Sequence, residues 1–120
     1  MAHASMLSWS STETGQQVDL AAVADGAGEV GLEHGGALLR FASACGGTDD
    51  AELAAARAAL VAETDVAFMV DAAAVAANFE MMTRLADGTG AVLTEERLER
   101  AAFQIETMGA ADLVSRRNGV

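Results

Sequence analysis

VAANFEMMTRLADGTG, residues 75–90, is the stretch whose reading decides the fold of this chain. Traced back to Asp65, Phe68, Ala72, Val75, Phe79 and Met82 fall on one helical stripe, while Val66, Met69, Val70, Ala73, Ala77 and Met81 fall on another. The spacing predicts a helix over 65–87 that is apolar around most of its circumference and needs cover from several sides. Four polar residues, Asn78, Glu80, Arg84 and Asp87, sit near its end. Glu80 and Arg84 stand at i and i+4 in the favourable order, and Asp87 lies three residues beyond Arg84, so the three are expected to form an ion ladder along one edge. Their expected role is structural, with Arg84 partly covered and also the one candidate to hold a small anionic ligand. Removing its charge would then strand carboxylates, a loss of about 2–4 kcal/mol.

Upstream, Asp49 with Glu52 three residues later reads as a capping box that opens a helix running to about residue 62. Gly46 and Gly47 end an earlier helix over 29–45, in which Val30, His34, Ala37, Phe41 and Cys45 share a stripe. Gly26, Gly28 and Gly31 form a connector, and a weak helix is expected over 16–24. Residues 1–14 have no period and read as a flexible leader with Trp9 as its anchor. Thr64 and Asp65 cap the long helix, and Gly88 or Gly90 supplies its left-handed exit. Thr94, followed by Glu95 and Glu96, opens a last helix over 94–118, with Arg116 and Arg117 at its C-terminal dipole. The expectation is an all-α chain, four main helices plus the weak N-terminal one, with residues 15–120 as a single helical domain.

Composition agrees with this class. Alanine dominates, there is no proline or tyrosine, and Ile105 is the only isoleucine. The formal charge of −11 argues against nucleic-acid binding, because a phosphate backbone must be met by clustered cations and only Arg116 and Arg117 are adjacent. Anionic membranes are disfavoured for the same reason, and Asp65, Asp71 and Glu80 interrupt the longest apolar run, so a cytoplasmic protein is expected, with neither nucleic acid nor membrane as partner. Cys45 is the single cysteine, and His3 and His34 are the only imidazoles. Neither an internal disulfide nor a metal site is expected, and no cofactor is implied.

Phe79, Arg84, Ala86-Asp87 and Gly90, followed by the Thr94 cap, give the stretch from Asp71 to Leu93 a further meaning. It resembles the C-terminal part of the carboxymuconolactone decarboxylase and alkylhydroperoxidase-D-like family, in which a helix ending in a pattern like F-N-x-x-N-R-x-A-D-x-x-G leads into a short loop. A weaker match extends from about Ala37 to Ala62. The resemblance implies an alkylhydroperoxidase-D-like helical fold, shortened at its front. Peroxidatic members use C-x-x-C followed four residues later by His, whereas Cys45 has Thr48 and Glu52 at those places. A dithiol cycle needs the second thiol to resolve a sulfenate. What the resemblance implies is therefore a non-catalytic helical assembly or small-ligand-binding protein that has lost the redox dithiol. The alternative it leaves open is a cofactor-free enzyme, either a peroxidase using Cys45 with an external thiol or a lactone decarboxylase-like acid/base catalyst using His34.

Glu29 and Glu33 stack on one helical face with His34 about 100° around, so a solvated or capping role outweighs chemistry for this trio. Cys45 is expected to be a small buried apolar residue, and Met69, Met81 and Met82 to pack a helical core. An enzyme would bring His34, Cys45 and Arg84 into one enclosed pocket. The long helix has too few intramolecular partners, and Phe103 lies off the stripe of Leu98, Ala101, Ala102, Ile105, Met108 and Leu113. Self-association is the expected remedy, a dimer first and a trimer or hexamer next.

Overall fold

A computed structural model describes residues 12–15, 17–25, 30–92 and 94–109, and six of its helices carry the fold. They are α1 (Leu20–Asp25), α2 (Gly35–Cys45), α3 (Asp50–Glu63), α4 (Val66–Thr89), α5 (Glu95–Arg100) and α6 (Ala102–Thr107). The described residues contain no strand, and the all-α class expected from composition holds. The expectations placed on residues 1–11, Glu29, Leu113, Arg116 and Arg117 lie outside the described residues.

Local chemistry sets most helix ends. The Asp49 carboxylate accepts hydrogen bonds from the Ala51 and Glu52 backbone N–H groups at 2.9 and 3.0 Å, occupying two of the donors a helix start leaves free. Glu52 does not complete the expected capping box, because its carboxylate turns to Arg40 on α2. Asp65 caps α4 by accepting from the Phe68 N–H at 2.8 Å. Thr64 instead turns its hydroxyl back to the Leu60 carbonyl. Gly90, at φ 66°, is the left-handed exit of α4.

Two boundaries differ from expectation. α2 starts at Gly35 rather than near 29, because Gly31 at φ 78° and His34 at φ 56° place two left-handed residues ahead of it and no right-handed helix can run through them. The last helix breaks at Ala101, where φ −95° and ψ 3° separate α5 from α6. Ala101 is buried at this break, while Phe103 points outward, 65% exposed.

α2 and α3 pack as an antiparallel pair with α4 laid across both, and α1 contacts α6. The core sits between the first three: Phe41 of α2 with Ala56 and the fully buried Leu60 of α3, against Met69, Ala72 and Ala73 of α4. Lengths then decide what is left uncovered. At 1.5 Å per residue α4 extends about 36 Å, against about 16 Å for α2 and about 21 Å for α3, so it outruns both partners. None of its residues is buried. Val75, Met81 and Leu85 are 56%, 59% and 64% exposed, so the described residues do not supply the cover from several sides that this helix calls for. By length and composition alone α4 also qualifies as a helix able to cross a membrane.

Candidate functional site

Between α2 and α4 lies an open groove of about 960 Å³. Its walls are apolar: Leu38, Phe41 and Ala42 on one side, Phe68, Val75 and Phe79 on the other. The two helices meet through small residues, Ala72 and Ala73, and Phe68 and Phe79 flank that contact at 38% and 37% exposure. Asp71, Glu80 and Thr83 supply the polar atoms of its border. The Thr83 hydroxyl is occupied by the Phe79 carbonyl at 3.0 Å.

Cys45 also borders this groove, at the C-terminal end of α2. Its expected burial is corrected: the thiol is exposed, because the Gly46-Gly47 turn carries the chain away and leaves nothing over the last helical residue. Gly46 makes this turn in the right-handed region, at φ −83°.

His34 belongs to a different place. It precedes α2 in the left-handed region, a conformation tolerated better by His than by bulkier or branched residues. Its ring meets Phe68 edge-on, with centroids 6.0 Å apart and planes at 74°. Nε2 lies 3.6 Å from a carboxylate oxygen of Glu33 and Nδ1 lies 3.7 Å from one of Glu63. Both separations exceed hydrogen-bond length, and the Glu33 side chain is 88% exposed, so the cluster is a wet electrostatic junction between α2 and α3. It opens on a second cavity of about 600 Å³ shared with Arg40 and Glu63. Glu63 was not legible as a partner of His34, since 29 residues separate them and only the α2–α3 pairing brings them together.

Arg84 lines neither cavity. Its Nε and Nη2 both reach Glu80 Oε1 at 2.8 Å, so the i,i+4 rung forms as expected. The expected cover does not: the two side chains are 72% and 50% exposed. Asp87 is exposed one turn further on.

One ion pair joins two helices. Arg40 Nε and Nη2 donate to the two oxygens of Glu52 at 2.7 and 3.0 Å, a parallel pair across α2 and α3. That hydrogen bonding holds the Glu52 carboxyl below its ordinary value and raises Arg40 further. Among the described residues no cluster of three His, Cys, Asp or Glu groups has metal-binding geometry.

His34, Cys45 and Arg84 therefore do not converge. The first two sit at opposite ends of α2, about 16 Å apart along its axis, and face different cavities. No family model, curated protein or solved structure matches this chain.

Proposed function

We propose that the chain is a non-catalytic, self-associating helical protein of the carboxymuconolactone decarboxylase and alkylhydroperoxidase-D-like type, shortened at its front, whose apolar groove takes a small apolar ligand. The observation that carries this reading is α4, a 24-residue helix with no buried residue. Contiguous apolar surface on that scale is covered by a partner or a ligand in most soluble proteins. The dispersal of His34, Cys45 and Arg84 supports the non-catalytic half, since acid/base or nucleophilic chemistry needs its groups within reach of one reacting atom.

A cytoplasmic location goes with this reading, although α4 is long enough to span a bilayer. Asp71, Glu80 and Arg84 all lie within the length a membrane core would occupy, and acidic or basic side chains at its centre cost about 2.5–3.5 kcal/mol each.

One observation favours a second reading. Cys45 is exposed and borders the apolar groove, the placement a single-cysteine peroxidase working with an external thiol would require.

Light scattering at micromolar concentration tests the first reading. A mass that is a multiple of the 12.2 kDa chain is expected, and a mass equal to one chain that does not change on concentrating overturns it. Thiol-dependent hydroperoxide turnover separates the two readings. No turnover above a Cys45→Ala control is expected, and robust turnover lost in that variant establishes the enzyme.

A further inference from the structure

The groove between α2 and α4 carries charge of one sign. Among the described residues, the charged side chains along it are Asp71 and Glu80, both carboxylates on α4, and no arginine or histidine joins them. The two acids differ in what holds them. Glu80 is met by Arg84 at 2.8 Å, whereas Asp71 makes no hydrogen bond or ion pair with any described residue.

Asp71 follows Phe68 by three residues and precedes Val75 by four, the spacings that set side chains beside one another on a helix. Phe68 and Val75 line the groove and are 38% and 56% exposed. An unpaired negative charge therefore stands between two apolar side chains that border the same opening. A molecule that covers Phe68, Val75 and Phe79 comes within reach of the Asp71 carboxylate.

Apolar burial supplies most of the affinity at such a place, because an exposed ion pair adds little. The charge acts as a selector instead. An anionic amphiphile such as a fatty acid would bring a third carboxylate to a border that has two, on a chain of net charge −11. A cationic one meets complementary charge at the border and an attractive field from the chain as a whole. We propose that the groove binds amphiphilic cations, with the apolar body laid along Phe68, Val75 and Phe79 and an ammonium group at Asp71. Phe68 and Phe79 are about 16 Å apart along the helix axis, room for a decyl chain laid flat, and a volume of about 960 Å³ lies within the range of small-molecule sites. This inference rests on the reading of the groove as a ligand site and names the ligand's chemistry.

Calorimetric titration with three probes that share a decyl chain tests it: decyltrimethylammonium, 1-decanol and decanoate, at low salt and below their micellar or solubility limits. Cys45 borders the same groove, so protection of its thiol from N-ethylmaleimide reports that a probe sits there. Decyltrimethylammonium is expected to bind about tenfold more tightly than decanoate and to slow alkylation of Cys45. Tetramethylammonium, which has the charge without the chain, is expected to do neither, and protection by it equal to that of the decyl probe overturns the proposal. Asp71→Asn, at an exposed position, is expected to weaken the ammonium probe about threefold and to leave decanol unchanged. Equal affinity for the ammonium and carboxylate probes, or an ammonium affinity that Asp71→Asn does not change, overturns the cation assignment and leaves the groove as an apolar ligand site. Protection of Cys45 by none of the three decyl probes removes the ligand reading itself, and this inference with it.

Discussion

Arg40 and Glu52 tie α2 to α3 through two parallel hydrogen bonds of 2.7 and 3.0 Å, twelve residues apart in sequence and on facing helices in space. The pair stands where α3 would otherwise have closed its own capping box. The interhelical geometry is thus preferred to the local one, since the fork of the guanidinium matches both carboxylate oxygens at once.

That pair makes stability depend on acid in a defined direction. The Glu52 carboxyl is held below its ordinary 4.5 by the Arg40 hydrogen bond, so its contribution is present above 4.5 and fades as the pH falls through the lowered folded value. Thermal melts of the wild type and Glu52→Gln are expected to differ at pH 7, to converge as the pH falls through the lowered value, and to differ less at 1 M salt than at low salt. Melting curves that stay equally separated down to pH 2 would assign the difference to packing rather than to the ion pair.

Gly31 and Gly88 should respond to alanine with opposite signs. A Cβ at Gly31 would stand 2.1 Å from the Gln17 carbonyl oxygen, in a residue held at φ 78°, so Gly31→Ala is expected to cost about 1–3 kcal/mol. Gly88 lies inside α4 with nothing within 4 Å of an added Cβ, and Gly88→Ala is expected to stabilise by about 0.5–1 kcal/mol. Urea denaturation of the two variants reads both. Equal effects would show that the turn at Gly31 is free to rearrange.

Leu60 is the one large side chain with no exposed surface among the described residues, enclosed with Phe41 and Ala56. Leu60→Ala is expected to lose about 2–5 kcal/mol through lost transfer energy and the cavity left behind. Val92→Ala, at a position 64% exposed, should stay within about 0.5 kcal/mol. A loss below 1 kcal/mol at Leu60 would mean that α2, α3 and α4 collapse into the space.

Arg84→Ala is expected to cost less than about 0.5 kcal/mol in denaturant melting, the range of an exposed i,i+4 helix pair. Burial of the ladder would have made it several times larger. A measured loss of 2 kcal/mol or more would place Arg84 under cover in the protein in solution, at an interface the single chain does not contain.

The helix ends and the fold class were determined by the sequence itself, because short-range backbone chemistry decides them. Asp49 and Asp65 cap the helices that follow them, and Gly90 closes α4 in the left-handed region, each through hydrogen bonds that span no more than four residues. The Glu80–Arg84 rung belongs to the same class, one helical turn apart. What only the tertiary structure decided depends on which neighbours arrive. Cys45 shares its stripe with Phe41, yet Phe41 is buried under α3 while Cys45 is exposed at the helix end, a difference that periodicity cannot contain. His34 gained Glu63 and Phe68 only once α2 lay against α3 and α4. The apolar wrap of α4 was plain from residue spacing, but spacing measures the need for cover and not its supply. The supply is set by the lengths of α2 and α3, and these end before α4 does.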